Sequence, residues 1–148
     1  MRNTTLIALP VAATLALAGQ LFAGGFWLQL GNPEANTEAR RSNAIVVVMA
    51  VGCHDPASAQ VVATAIGTVN GRRRTIALQV TPLSAPGTFA LSQQWPKTGH
   101  WVIRLVGRNG EQFTNTLVSA GPEGLDHLHA KSAMKPFAGQ DVESMLAN

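Results

Sequence analysis

Four histidines and a single cysteine are the side chains of this 148-residue chain best suited to metal ligation or nucleophilic chemistry. Two of the histidines are crowded into His127-Leu128-His129, with Asp126 just before them. On an extended chain alternate side chains face one way, so His-x-His offers both imidazoles to one ion, and imidazole suits Zn²⁺ or Cu²⁺. Two ligands alone make a weak site, so a third would have to come from His100, His54 or Cys53. The plainer reading is a pair of exposed loop histidines. Cys53-His54-Asp55 is the most reactive-looking triplet. Adjacent residues of a strand point to opposite faces, so Cys53 and His54 reach one ion only where the strand has already ended. The alternative is that Cys53 continues the face of Ile45, Val47, Met49 and Val51 as a small buried hydrophobe, unreactive as a thiol, while His54 and Asp55 open a turn.

Other chemistry is thinly represented. Paired carboxylates, a nucleophile elbow, an HExxH helix and a glycine-rich phosphate loop are all missing, which points away from catalysis. Arg72-Arg73-Arg74 follows a turn and suits a phosphate or an anionic lipid surface. Three charges without interleaved aromatics fall short of a nucleic-acid footprint, and a solvated hairpin end is the default. Arg104 lies oddly between Val102 and Val106, with Asn115 as a partial partner. Trp27, Trp95 and Trp101 read as core.

The start of the chain places that chemistry outside the cytoplasm. Arg2, then the apolar run Leu6 to Ala18, then Ala16-Leu17-Ala18 as a small-x-small exit, make an export signal spanning residues 1–23. Cleavage is expected after Ala18 or Ala23, giving a periplasmic or secreted protein. Leu6 to Leu30 carries no charge and is long enough to cross a bilayer, so an uncleaved membrane anchor is the alternative. Residue 20 is Gln, which leaves no thiol to acylate after Leu17-Ala18-Gly19. Without the signal roughly 125 residues remain, enough for one domain with a real core. The formal net charge is +3 and only 13% of residues are charged, a composition that suits a compact sandwich and not a disordered tail. One cysteine permits no internal disulfide. Tyr is absent, so a tyrosine corner is impossible.

The elements that must position these residues read as strands. Gly25–Leu30 is the first. The polar stretch from Asn32 to Asn43 is a loop with room for one helical turn. Ala44 to Val51 is a continuous apolar run, as in a strand buried on both faces, and Pro56 ends it. Asn70-Gly71 and Asn109-Gly110 each predict a two-residue hairpin turn. The first register pairs Ala65 with Ile76 and Ala63 with Leu78 on an apolar face, and Ile66 with Thr75 on a mixed one. The second pairs Arg108 with Glu111, Val106 with Phe113, Arg104 with Asn115 and Val102 with Leu117. Between the hairpins Phe89, Leu91, Gln93 and Trp95 alternate with polar or small residues. The total is about seven strands, spaced as in an immunoglobulin-like β-sandwich over residues 24–120. Residues 121–148 read as a loop-rich tail ending in a short helix capped by Asp141, with Val142, Met145 and Leu146 on one side.

The segment Pro86-Gly87-Thr88-Phe89 … Trp95-Pro96 … Gly99-His100-Trp101-Val102-Ile103 resembles a motif of small bacterial periplasmic sandwiches, the YtkA-like, FixH-like and CopC-like immunoglobulin-fold domains. The likeness covers about 20 residues and implies the fold more than the function. It implies copper for some relatives, through a histidine near the mature N-terminus and Met-rich loops. Gly19 to Leu30 has no His and the four Met are scattered, so no ligand carries over residue by residue. The expectation is an exported, non-catalytic, all-β binding or structural module for a protein or small ligand. Nucleic acid is not expected as a partner. A copper-handling protein using His127 and His129 with Cys53, His54 or His100 is the alternative.

Overall fold

The computed structural model describes residues 25–147. The expected signal segment, with both cleavage points, lies outside them. Among the described residues nine strands form two antiparallel sheets. β1 (Trp27–Gly31), β2 (Ala44–Val51), β5 (Thr81–Pro82) and β6 (Thr88–Ser92) form one sheet in the order β1-β2-β6-β5. β3 (Gln60–Val69), β4 (Arg72–Leu78), β7 (Trp101–Asn109), β8 (Gln112–Gly121) and β9 (Gly124–Ala133) form the other, in the order β4-β3-β7-β8-β9.

Between the sheets Phe26, Leu28, Val46, Val48, Ala50 and Leu91 meet Ala63, Ala65, Trp101, Ile103, Leu105 and Val118. Each sheet also has a helix on its outer face. α1 (Thr37–Arg41) seats Ala39 against Val47 and Ala90. α2 (Gly139–Leu146) seats Val142 and Met145 against Val102 and Leu117. The cover that α1 provides explains why Ala44–Val51 carries apolar residues without alternation: Val46 and Val48 face the main core and Val47 lies with the α1 cluster. α1 starts at Asn36, whose side chain accepts the Ala39 N–H at 3.0 Å. Asp141 stabilises the start of α2 from its third residue, accepting the Ala138 N–H at 2.8 Å, instead of standing at the cap itself.

The first hairpin holds the expected register, with Ala63 opposite Leu78 and Ala65 opposite Ile76. Asn70 and Gly71 both take positive φ, 50° and 71°, as a type I′ turn needs. The second hairpin departs from expectation. Asn109 pairs with Gln112, so the turn is Gly110-Glu111, and only Gly110 has positive φ (58°). Glycine at the first central position is the mark of type II′. The register therefore moves by two residues: Arg104 faces Leu117, Asn115 faces Val106, and Arg108 faces Phe113 with its guanidinium 5.1 Å from the ring centroid. The expected Arg108–Glu111 and Arg104–Asn115 pairs are not formed. A slip of two keeps every side chain on its face, so polarity does not distinguish the two registers.

The loop-rich tail expected over residues 121–148 is not what residues 121–147 form. Gly124–Ala133 is a ten-residue edge strand, and the count rises from seven strands to nine with β9 and the short β5. Trp95 and Trp101 are core, but Trp27 is 42% exposed and lies over Gly52.

Candidate functional site

β9 is bulged where the histidines lie. Ser119 pairs with Asp126 and Leu117 with Lys131, so Val118 alone stands opposite the four residues His127 to Ala130. A bulge of that width rotates neighbouring side chains away from the regular alternation. Leu125 and Ala130 pack on the main core, while Leu128 is 93% exposed. His129 lines a cavity of about 560 Å³ together with His100, Trp101, Ser119, Asp126, Lys131 and Met145. His127 lines a different cavity, with Leu30 and Ile45 of the opposite sheet and Pro33 and Glu34 of the 3-10 turn that follows β1. His-x-His thus does not present two imidazoles to one point.

The larger cavity is a cleft at one end of the five-stranded sheet, where β7 begins and β8 turns into β9. Trp101 and Ala120 give it an apolar floor. The ring of Trp101 is held by its Nε1–H, which donates to the Thr98 carbonyl at 3.0 Å. It also lies against Gly67, where a Cβ would stand 2.4 Å from Trp101 Cε3. Met145 of α2 supplies one wall.

The polar side has one fixed element. His129 Nδ1 lies 2.7 Å from Asp126 Oδ2, and the His129 backbone N–H donates to Asp126 Oδ1 at 3.3 Å. The hydrogen bond from the His129 ring, ahead of the backbone donations, holds the Asp126 carboxyl below the usual carboxylate range. Asp126 fixes the orientation of the ring and leaves Nε2 as its free nitrogen. Lys131 and the Ser119 hydroxyl complete the polar lining.

Cys53 and His54 are elsewhere. They follow β2 beside Asp55, whose carbonyl accepts the Asn109 side-chain N–H at 2.7 Å. Asn109 is the last residue of β7 and Trp101 the first, roughly 26 Å apart at strand rise, so this end is remote from His100 and His129. Cys53 is half-buried against the main core. It does not continue the face of Val47, which belongs to the cluster under α1, because Gly52 at φ 74° breaks the alternation. Of the five candidate ligands, His100 and His129 share the larger of the two cavities described. Among the described residues no three His, Cys, Asp or Glu side chains gather as a metal site.

Sequence reading missed Ser119, Lys131 and Met145, which reach the cleft from separate elements. Asp126-x-x-His129 was open to detection, because Asp accepts hydrogen bonds from residues two or three positions on. Comparisons with protein-family models, with curated proteins and with solved structures find no match to this chain.

Proposed function

We propose that this protein is an exported, non-catalytic immunoglobulin-like β-sandwich that binds a small ligand in the cleft walled by Trp101, Lys131 and Met145. The strand order supports the immunoglobulin-like reading. β1-β2-β6-β5 against β4-β3-β7-β8 follows the A-B-E-D and C′-C-F-G arrangement of such sandwiches, with β9 added beyond the last strand. Export rests on residues 1–23, and N-terminal sequencing of protein recovered from outside the cytoplasm should begin at Gly19 or Gly24.

The observation that carries the binding role is the cleft itself. About 560 Å³ is ordinary for a small-molecule pocket, and an apolar floor with a few convergent polar groups is the usual composition of one. The test is a fragment screen followed by amide chemical shifts in nuclear magnetic resonance. Binders should move the signals of Trp101, Ser119–Gly121 and Lys131 together. A screen whose hits leave those signals unmoved would remove the cleft from consideration.

A copper-handling role has its support in His100 and His129, which share the cleft, and in the Asp126 contact that orients the second ring. Its direct test is calorimetric titration of untagged protein with Cu²⁺ and with Zn²⁺.

A further inference from the structure

Resting on the ligand-binding reading of this cleft, we infer that its ligand is an organic anion: a compact apolar body carrying one carboxylate, sulfonate or similar group. The assignment follows from which hydrogen-bonding groups are still free. Asp126 is the one carboxylate in the lining, and both its oxygens are engaged by His129, one by the ring and one by the backbone N–H. Each oxygen thus already accepts one hydrogen bond, which takes up about half of the acceptor capacity of the carboxylate and leaves Lys131 as the other formal charge of the lining.

The remaining polar side chains are donors or groups that become donors. Lys131 brings three ammonium hydrogens and a full positive charge, and Ser119 brings a hydroxyl. The imidazoles of His100 and His129 add donor capacity and, when protonated, charge. These groups converge on one cavity from the residue before β7, from β8 and from β9. Trp101, Ala120 and Met145 are also in the lining and contribute no charge. A neutral apolar ligand would leave the ammonium and the rings facing a desolvating surface. A cation would meet Lys131. An anion with an apolar body satisfies both halves of the lining, since hydrogen bonds to ionised groups are the stronger ones.

Two fluorescent dyes separate the halves of this inference, because they share an apolar body and differ in charge. 1-Anilinonaphthalene-8-sulfonate carries a sulfonate, and N-phenyl-1-naphthylamine is its uncharged counterpart. The cleft should bind the sulfonate at least about fivefold more tightly than the neutral dye. Lys131→Glu should weaken the sulfonate dye about tenfold and change the neutral dye less than twofold. Arg72→Gln, at the tip of the first hairpin and outside the cleft lining, should change neither, which controls for adsorption to surface cations. Equal affinity for the two dyes, or equal loss in Arg72→Gln and Lys131→Glu, would overturn the anion assignment and leave a ligand-binding cleft. Binding of neither dye would overturn the cleft as an apolar ligand site as well.

Discussion

Gly67→Ala is the substitution for which the packing makes the sharpest demand. Gly67 lies in β3, opposite Trp101 on one side and Arg74 on the other. An added methyl would stand 2.4 Å from Trp101 Cε3, 2.5 Å from Cδ2 and 2.9 Å from the His100 carbonyl oxygen. Carbon atoms pack best at about 3.5–4.0 Å, so ring and methyl must separate by more than about 1 Å. The ring has little room to yield: it is 1% exposed and tied through Nε1 to Thr98. Overpacking of this kind costs about 1–3 kcal/mol, and alanine returns about 0.4–1 kcal/mol by restricting the unfolded chain. The net loss should be about 1–2 kcal/mol, a fall in Tm of roughly 3–10 °C for a domain of this size. Gly121→Ala is the matched control. It makes the same chemical change on a strand of the same sheet, with nothing within 4 Å of the new Cβ. It should be neutral or stabilising by up to about 1 kcal/mol. Urea unfolding followed by tryptophan fluorescence and by circular dichroism reads both. If Gly67→Ala proves as stable as Gly121→Ala, Trp101 does not rest on Gly67, and the floor of the cleft is wrongly described.

Three further outcomes are expected. In double-mutant cycles Arg108 should couple to Phe113 by about 0.5–1 kcal/mol and to Glu111 negligibly, and the reverse would restore the register with Arg108 opposite Glu111. His129→Ala should raise the Asp126 titration midpoint in a carbon-detected NMR titration, because the ring hydrogen bond that lowers it is gone. Since the folded-state pKa of Asp126 is depressed, its contribution to stability is present above the ordinary carboxylate range and is lost as pH falls through the folded value. His129→Ala and the parent should therefore diverge at neutral pH and converge in acid, and an unmoved Asp126 midpoint would refute the contact. In a Cu²⁺ titration His127→Ala should match the parent, while His100→Ala and His129→Ala should match each other, because the latter two share a cavity and His127 lines another. A loss confined to His127→Ala and His129→Ala would bring back the joint His-x-His site.

The first hairpin was legible because two independent signals agreed there. Asn70-Gly71 supplied the turn, and the apolar face of Ala63, Ala65, Ile76 and Leu78 allowed no other sidedness. At Asn109-Gly110 the turn signal was ambiguous, since a glycine that follows asparagine can also serve as the first residue of a type II′ turn. Nothing in the face pattern could break the tie, because a slip of two preserves it. β9 escaped detection for a related reason. Its bulge inserts residues between Leu125 and Ala130, its two contacts with the main core, and destroys the period of two. Edge position then removes the need for a second apolar face, so Gly124 to Ala133 carries the composition of a loop.

The cleft was illegible as a site for the same physical cause that makes it one. Its lining comes from the entry to β7, the exit of β8, the bulge of β9 and one side chain of α2, stretches that only the closed sheet brings together. The sequence showed histidines two residues apart, which on a regular strand share a side. The bulge sends one toward each sheet, so the spacing that suggested a joint site is the spacing the fold takes apart. What it builds in exchange is local: Asp126 orients His129 across three residues, and Lys131, opposite Leu117 once regular pairing resumes, comes to the same cavity from the far side of the bulge. A single irregularity in an edge strand thereby separates the histidines and joins one of them to a cation and an engaged carboxylate. That is why the charge of the site, more than its count of metal ligands, is the property to test.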